Sequence, residues 1–409
     1  MKKKFNFSSI DEQIKALKPL KNSILDSKDG EKICIVFHNY IPAADPDTLS
    51  AATAIWLIFK YIKKAQAHNI RIIGTGECGE RAFNAIQYYE RIINDEEYKV
   101  EFIKDVEYMK EPISCHRLYV VDTDFGRTGF KPEHFQVKDE IIVLDHHNKL
   151  DELIELGKMC SLESCKIHRI LCSSSDENLR SASTSQLLLI LMCAMYPKLA
   201  RNFFNIQSED IETIERSKEF LKQYYRVLRA GIQTDTGSFM FSNTDNALLA
   251  VGKFLDTFEP YGPFEIDQNE ITNISVLKYS QKDLEIVQKL YKGLSIIDNV
   301  VLLTCYQEDF IREDGSKSNI SPIHICQAFQ YNAAMSIKWE EKDSNGWIAN
   351  VELRCMKPED SVVTFAKRFK NGGGHPCAAG FSYRAPKDQI HIKSLELQRE
   401  FLNYINKGE

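Results

Sequence analysis

Apolar and mixed segments alternate along the first part of the chain. Residues 32–38 form a short apolar run, which is typical of a strand buried on both faces. Residues 50–63 are largely apolar, include three Ala and contain no Pro or Gly, which favours a helix. The same reasoning predicts strands at 71–75, 117–122 and 140–145 and helices at 79–91 and 183–196. This alternation predicts an α/β fold in which a mainly parallel sheet is flanked by helices.

A change of composition divides the chain. Residues 258–273 carry two prolines, a glycine and several acidic residues, which is typical of a linker. Beyond them we predict helices at 281–293, 321–330 and 361–370 and strands at 294–304, 333–340 and 347–355, with a glycine-rich turn after the last helix. We therefore expect a second, smaller α/β domain across a cleft from the first. The expected bounds are 1–257 for the first domain, 258–280 for the linker and 281–409 for the second domain.

Charge and cysteine content narrow the class of protein. Lys and Arg number 52 and Asp and Glu number 58, so the formal net charge is −6. Proteins that track long nucleic acids usually carry a basic excess, so this balance favours a small anionic substrate. The 11 cysteines form no disulfide framework, and the apolar run at 187–196 is too short to span a bilayer. We expect a cytoplasmic protein that does not bind a membrane. The sequence shows no evident protein partner, and it leaves open whether the chain forms a homodimer.

Polar clusters follow the predicted elements. His38, Asp45 and Asp47 follow the first strand, Asp122 and Asp124 end the third, Asp145, His146 and His147 end the fourth, and Asp235 follows a helix. Open α/β sheets bind ligands at the carboxyl ends of their strands. Carboxylates and imidazoles are ligands that divalent manganese, iron or zinc accept, and two such ions can clamp a phosphoryl group. Each cluster alone is more often a turn or a helix cap, whereas the combination favours a paired-metal site.

Several of these segments resemble the motifs of the DHH phosphoesterases. Asp145-His146-His147 resembles the signature of that family, which includes RecJ-like nucleases, nanoRNases, cyclic-dinucleotide phosphodiesterases and family II pyrophosphatases. Val121-Asp122-Thr123 resembles the second motif of the family, Thr234-Asp235-Thr236-Gly237 resembles its fourth, and Ser181-Ala182-Ser183-Thr184 resembles a segment of its nanoRNase-like branch. Residues 371–381 and Arg354 resemble the glycine-rich motif and the arginine of the DHH-associated C-terminal domain. The resemblance spans residues 32–381.

The resemblance implies two metal positions that share one ligand. The first would be held by His38, Asp45 and Asp122, and the second by Asp47, Asp122, His146 and Asp235. The implied cofactor is a pair of Mn²⁺ ions, with Mg²⁺, Co²⁺ or Fe²⁺ as alternatives. His147 would face the substrate phosphate as a general acid or a stabiliser of charge, and Asp145 would orient a histidine through its ring N–H.

One spacing departs from the family pattern. The first histidine of that pattern lies four residues before the first Asp, whereas His38 lies seven residues before Asp45 and the expected position holds Ile41. Either the intervening loop bulges and His38 still reaches the metal, or that ligand is lost. We favour the bulge, because His38 keeps its place at the end of the strand.

The second domain carries the residues expected to hold the substrate. Gly372, Gly373 and Gly374 would let backbone N–H groups approach an anion, with His375 as a further donor. Arg354 can bind a phosphate through two parallel hydrogen bonds. Without the resemblance, a flexible turn and a solvated strand-end charge would be the simpler interpretations.

A zinc site in the segment 151–180 is a weaker alternative. Cys160, Cys165, His168 and Cys172 lie close together, but their spacing is irregular and no second Cys-x-x-Cys pair completes the site. We interpret them as thiols of an insertion that follows the DHH motif.

The leading hypothesis is a metal-dependent hydrolase of phosphoester bonds. Its expected substrates are short oligonucleotides, cut as by a 3′–5′ nanoRNase, and 3′-phosphoadenosine 5′-phosphate, attacked by a water activated by two metals. Within the same chemistry, a RecJ-like single-strand exonuclease or a cyclic-dinucleotide phosphodiesterase stays open. A non-enzymatic nucleotide-binding protein with a decayed metal site is a further alternative, and the spacing of His38 is the observation in its favour.

Overall fold

The structure is a computed structural model that divides into two compact units, Met1–Val276 and Leu277–Glu409. It describes residues 8–38, 45–63, 69–76, 78, 80–147, 156–161, 164–172, 181–202, 211–236, 244–267, 271, 284–313, 315–318, 320–326, 329, 331–343, 346–356 and 361–407.

The first unit is built on a six-stranded sheet. Its strands are β1 (Ile33–Phe37), β2 (Ile70–Thr75), β3 (Val100–Ile103), β4 (Ile113–Val121), β5 (Phe135–Asp145) and β6 (Lys166–Leu171). They lie in the order β3-β2-β1-β4-β5-β6, and every neighbouring pair is parallel. The predicted α/β fold with a mainly parallel sheet is confirmed.

Helices cover this sheet and bury its apolar strands. They are α1 (Ser8–Ala16), α2 (Lys18–Asp26), α3 (Pro46–Leu57), α4 (Glu80–Ile93), α5 (Thr184–Asn202), α6 (Ile211–Asp235) and α7 (Thr244–Thr257), and α3 continues as one π-helical turn, Ile58–Ile62. All five residues of β1 are buried, in alternation between two apolar clusters. A strand without a polar residue therefore fits the centre of a sheet covered on both faces.

The start of α3 differs from the prediction. The helix begins at Pro46, four residues before the predicted start at Ser50. Asp45 is its N-cap, since the side chain accepts the backbone N–H of Thr48, and Pro46 takes the first helical position, where its missing N–H costs nothing.

The second unit contains a mixed six-stranded sheet. Its strands are β7 (Leu294–Ile297), β8 (Val300–Tyr306), β9 (Ala333–Asp343), β10 (Gly346–Cys355), β11 (Gly373–His375) and β12 (Ala378–Ala385), in the order β11-β12-β10-β9-β8-β7. The pair β8–β9 is parallel and the other pairs are antiparallel. Its helices are α8 (Leu284–Lys292), α9 (Pro322–Cys326), α10 (Val362–Ala366) and α11 (Ile390–Lys407).

Three sequence predictions are corrected by the strands. The single strand predicted at 294–304 is a hairpin, because Asp298 and Asn299 both adopt positive φ and turn the chain between β7 and β8. The predicted glycine-rich turn contains β11, which pairs with β12. The segment interpreted as an insertion contributes β6, which pairs with β5 at the edge of the first sheet.

Among the described helices, none combines the length and the apolar character needed to cross a membrane.

Candidate metal centre

The connections of the first sheet reverse direction between β1 and β4, beyond whose carboxyl ends a crevice is expected. From β1 the chain runs outward to β2 and β3, then returns to place β4 on the other side of β1. Ligands of open α/β sheets bind at such a reversal, beyond the carboxyl ends of the strands. His38 follows β1, Asp122 follows β4, and Asp145 ends β5 immediately before His146. The sheet itself therefore brings three of the predicted clusters together.

Asp45 uses its two oxygens for different contacts. Oδ1 accepts the backbone N–H of Thr48 at 3.0 Å and caps α3. Oδ2 lies 3.7 Å from Nε2 of His38. The helix-cap interpretation and the metal-ligand interpretation are therefore compatible, because each concerns a different oxygen. His38 reaches Asp45 despite the longer spacing, while the intervening residues 39–44 lie outside the described part of the chain.

Asp122 lies at the centre of the crevice. It adopts φ +60°, a left-handed conformation that Asp tolerates better than most residues, and its N–H donates to the carbonyl of Leu144 at 2.7 Å. Oδ2 lies 3.8 Å from Nε2 of His38, and Oδ1 lies 3.3 Å from Nε2 of His146. One carboxylate therefore contacts both histidines.

Asp47 lies in the first turn of α3, and its fully buried carboxylate contacts the N-terminus of α5. Its carboxylate accepts the backbone N–H groups of Thr184 at 2.8 Å and Ser185 at 3.0 Å, the first two residues of α5. The free N–H groups and the dipole of a helix N-terminus stabilise a carboxylate there. On α6, Gly231 makes room for this arrangement, because a Cβ there would lie 2.2 Å from Oγ of Ser185 and 2.7 Å from Oδ1 of Asp47.

His146 joins the remaining carboxylates. Its Nε2 lies 3.2 Å from Oδ2 of Asp235, the last residue of α6, and 3.9 Å from Oδ2 of Asp47. The ring is almost completely buried. The fourth predicted cluster therefore reaches the crevice from the end of a helix.

The pKa shifts show how poorly this cluster tolerates its own negative charge. Burial raises the pKa of Asp47 well above its ordinary value, and the charges of Asp122 and Asp235 raise it further. Burial also raises the pKa of Asp235. Burial opposes protonation of His146, but its contacts with Asp122 and Asp235 outweigh burial and hold its pKa well above the ordinary value. Burial likewise disfavours protonated His38, yet the contact with Asp45 leaves its pKa raised. The cluster therefore favours any positive charge that enters it.

Divalent cations fit this cluster of oxygen and nitrogen donors. Among the described residues, three groups of ligand atoms lie close enough to hold an ion: His38-Asp45-Asp122, Asp47-His146-Asp235 and Asp122-His146-His147, each within 4.8 Å. Oxygen and imidazole donors suit Mn²⁺, Fe²⁺ and Zn²⁺. When all four are ionised, the carboxylates of Asp45, Asp47, Asp122 and Asp235 carry a charge of −4 that two dications would offset. The residues present therefore fit a pair of dications.

His147 and Asp145 form a pair beside this cluster. Nδ1 of His147 lies 2.7 Å from Oδ1 of Asp145, and the rings of His146 and His147 have centroids 4.3 Å apart. Asp145 is buried, whereas the His147 side chain is about one-third exposed. The histidine can therefore be reached from solvent, while the carboxylate beneath it contacts the ring.

The predicted substrate-binding residues lie in the second unit. Arg354 is on β10, where it pairs with Ala334 of β9 and Ala378 of β12, and its guanidinium donates to the carbonyl of Leu353 at 2.9 Å. Gly374 has φ +132° and lies so close to β12 that a Cβ would meet the carbonyl oxygen of Ala378 at 2.4 Å. A Cβ at Gly372 would meet the carbonyl oxygen of Ala366 at 1.7 Å.

Gly372 and Gly374 are therefore required because the backbone packs closely against both of them. Gly373 has open space around it and pairs with Gly380, and His375 pairs with Ala378. The suggested phosphate cradle stays a prediction.

The cysteines after the DHH motif do not assemble into a zinc site in the described part of the chain. His168 on β6 points toward Glu140, with its Nε2 3.3 Å from Oε1. Cys172 is buried at the end of β6, where its N–H donates to the carbonyl of Asp145 at 3.0 Å. The groups of potential metal ligands found among the described residues include neither of them.

Two threonines belong to the centre although the sequence did not identify them as contacts. The hydroxyls of Thr48 and Thr184 donate to Asp122 at 2.6 Å and 2.8 Å. Thr184 ends the segment that resembles the nanoRNase-like branch, which was a usable signal. Thr48 gave none, because threonine in the first turn of a helix is common.

Comparisons with known proteins agree with this architecture. An exopolyphosphatase-related protein from Bacteroides fragilis is 15% identical in sequence, and the match covers 99% of each chain with a TM-score of 0.56. The chain therefore shares the fold of that protein. At this identity the likeness extends to the fold alone, and that fold agrees with the one expected from the motif resemblance.

A second solved structure is described as a DHH domain from a member of a family of ribosomal proteins. It is 13% identical and covers 97% of this chain and 91% of its own, but its TM-score of 0.37 is too low to support an argument. No protein-family description and no curated protein sequence matches the chain.

Proposed function

We propose that this chain is a metal-dependent phosphoesterase that hydrolyses short oligonucleotides, 3′-phosphoadenosine 5′-phosphate or both. The observation that supports it most directly is the convergence of His38, Asp45, Asp47, Asp122, His146 and Asp235 at one edge of the sheet. A buried cluster with such an excess of carboxylates is unfavourable unless cations occupy it.

The first metal position would be held by His38, Asp45 and Asp122, and the second by Asp47, His146 and Asp235. Asp122 would be shared with the second position, since its Oδ1 lies 3.3 Å from Nε2 of His146. Two bound dications supply Lewis acidity at a phosphoryl group and lower the pKa of a water. Mn²⁺ is the ion we propose, since the carboxylate and imidazole donors suit it.

His147 and Asp145 would handle protons and charge beside the phosphate. The ionised carboxylate of Asp145 can only accept a hydrogen bond, so Nδ1 of His147 carries a proton and Nε2 is left to contact the substrate. When the ring is protonated, Nε2 can give its proton to the leaving oxygen.

The choice of short nucleotides rests on charge and on the second unit. A net charge of −6 does not favour affinity for long nucleic acids. Arg354, which is only partly buried, supplies a guanidinium that can bind a terminal phosphate. These observations favour a nucleotide with few phosphates over a long single strand.

A substrate panel tests the proposal. The purified chain is incubated with Mn²⁺ and with labelled di- to pentanucleotides, 3′-phosphoadenosine 5′-phosphate, a long single strand and a cyclic dinucleotide. Inorganic polyphosphate is added because the structural neighbour is named as exopolyphosphatase-related. We expect release of mononucleotides or phosphate from the short substrates, and loss of that release in Asp122→Ala. If neither the short oligonucleotides nor 3′-phosphoadenosine 5′-phosphate were hydrolysed, the proposal would be contradicted, whichever other compound the chain hydrolyses.

A further inference from the structure

We propose that Thr48 and Thr184 are positioning residues that divide the Asp122 carboxylate between the two metal positions, one oxygen to each. The inference rests on the proposed function, because it concerns the ligands of the proposed metal pair. It assigns a role to two residues that do not themselves belong to the three ligand groups.

The two oxygens of Asp122 have separate hydrogen-bond donors. The hydroxyl of Thr48 donates to Oδ2 at 2.6 Å, and the hydroxyl of Thr184 donates to Oδ1 at 2.8 Å. All three side chains are buried, with exposures of 1% or less. Two short hydrogen bonds, one to each oxygen, fix the plane of the carboxylate, because rotation about its terminal bond would break both.

The same two oxygens also face different histidines. Oδ2, which Thr48 contacts, lies 3.8 Å from Nε2 of His38. Oδ1, which Thr184 contacts, lies 3.3 Å from Nε2 of His146. The orientation that the hydroxyls impose therefore directs one oxygen toward each metal position.

Each threonine also holds a second ligand of the same metal position through its backbone. The N–H of Thr48 donates to Oδ1 of Asp45 at 3.0 Å, and Asp45 belongs to the group that contains His38. The N–H of Thr184 donates to Oδ2 of Asp47 at 2.8 Å, and Asp47 belongs to the group that contains His146. Thr48 thus connects two ligands of the first position, and Thr184 connects two ligands of the second.

The fold explains why each threonine serves one position. Thr48 lies in the first turn of α3, which follows β1 and His38, whereas Thr184 is the first residue of α5, which packs against α3. The donors therefore come from two helix N-termini that contact different oxygens of Asp122. Residues that orient metal ligands typically increase metal affinity by about 10–100-fold.

The test is a titration of the full chain with Mn²⁺, followed by calorimetry, in variants that isolate each position. His38→Ala removes a ligand of the first position, so that binding at the second is measured. In that background we expect Thr184→Val to weaken Mn²⁺ binding by about 10–100-fold and Thr48→Val to change it by no more than about twofold. In an Asp235→Ala background, which impairs the second position, the effects of the two substitutions should be reversed.

Matched variants separate positioning from general damage. Thr53→Val is the control, because Thr53 is also buried in α3 but its hydroxyl contacts Oη of Tyr98 at 2.7 Å, away from the metal ligands. We expect it to leave both Mn²⁺ affinities unchanged. Thr48→Ser and Thr184→Ser keep the hydroxyl and should restore the affinity that the valine variants lose.

Two outcomes would overturn the inference. One is that either valine variant weakens Mn²⁺ binding equally at both positions. The other is that neither valine variant weakens Mn²⁺ binding at either position. If the unsubstituted chain bound no Mn²⁺, the proposed function would fail as well. If it bound two ions and the valine variants did so equally well, the positioning role alone would be refuted.

Discussion

One oxygen of the buried Asp145 carboxylate contacts both the more exposed ring and the backbone N–H of His147. Oδ1 of Asp145 lies 2.7 Å from Nδ1 of His147 and accepts the backbone N–H of the same residue at 3.1 Å. Burial acts to raise the pKa of Asp145, but the hydrogen bond and charge of His147 outweigh burial and lower it to about 2. Asp145 is therefore ionised at neutral pH, and it fixes the proton on Nδ1.

Replacing this carboxylate should slow catalysis without removing the metals. In Asp145→Asn the amide can present its NH₂ group to Nδ1, so the proton on the ring can move to Nε2. We expect kcat to fall by about 10–100-fold. Bound manganese, measured by mass spectrometry after gel filtration, should stay at the level of the unsubstituted chain. The matched control is Asp139→Asn, an exposed residue of the same strand. Unchanged kcat in Asp145→Asn would refute the role of this pair.

Gly231 should be required for the position of Asp47. A Cβ at Gly231 would lie 2.2 Å from Oγ of Ser185 and 2.9 Å from Cβ of Ser50, so the helices must move apart to admit alanine. We expect Gly231→Ala to destabilise the chain by about 1–3 kcal/mol and to weaken Mn²⁺ binding. Thermal or urea unfolding and a Mn²⁺ titration measure the two effects.

The control for this substitution is Gly252→Ala. Gly252 is also helical, in α7, but is exposed and has no heavy atom near its virtual Cβ. Alanine there should leave metal binding unchanged and stabilise the chain by up to about 1 kcal/mol. Equal losses of Mn²⁺ affinity in both variants would show that Gly231 has no specific relation to the metal centre.

The parts of the fold that the sequence predicted are those with a strong local signal. β1 is an apolar run followed by His38, and β4 and β5 each contain an apolar run followed by an Asp, so both their existence and their order along the chain could be predicted directly. The strand β6 was missed because its sequence mixes Lys166, His168 and Arg169 with apolar residues, as an edge strand allows. The hairpin β7–β8 was missed because the residues Asp298-Asn299 were not recognised as a turn.

The candidate centre could be predicted only as a set of residues. Motif resemblance identified Asp122, His146 and Asp235, which the fold brings within contact distance. The contacts of Thr48, Thr184 and Gly231 depend on where α5 and α6 cross α3, and no local pattern encodes a crossing between helices that are distant in sequence. Tertiary packing therefore determines the residues that support the ligands.

Proton release should accompany metal binding. The raised pKa values of His146 and His38 mean that protons occupy these rings in the metal-free chain, and a metal ion must displace them. Mn²⁺ affinity should therefore increase as pH rises through the folded-state pKa values. Calorimetry in buffers of different ionisation enthalpy measures the protons released. A pH-independent affinity with no proton release would contradict this linkage.

The stability of the metal-free chain should decrease as pH rises, whereas its affinity for Mn²⁺ increases. A raised His pKa contributes stability that is fully present below the unfolded value of about 6.5 and is lost as pH rises through the folded value. The raised pKa of Asp47 acts in the same direction, because ionising that buried carboxyl becomes unfavourable. With EDTA, Tm should fall as pH increases above about 6.5, and Mn²⁺ should restore it. A Tm that rises over this range would contradict the prediction.

Arg354→Ala should weaken substrate binding without loss of metal. Arg354 lies in the second unit, whereas the three ligand groups lie in the first. We expect KM for a short oligonucleotide to rise about tenfold or more, since a charged hydrogen bond typically contributes about 1.5–3 kcal/mol. Arg384→Ala, an exposed arginine on β12, is the control and should leave KM unchanged. Loss of bound manganese in Arg354→Ala would show that the residue has a different role.

The most direct test of the central claim is anomalous diffraction from a crystal of the chain grown with excess Mn²⁺. We predict two anomalous peaks, one in contact with His38, Asp45 and Asp122 and the other in contact with Asp47, Asp122, His146 and Asp235. The absence of any peak among these side chains at saturating Mn²⁺ would contradict the claim that this edge of the sheet is a metal centre.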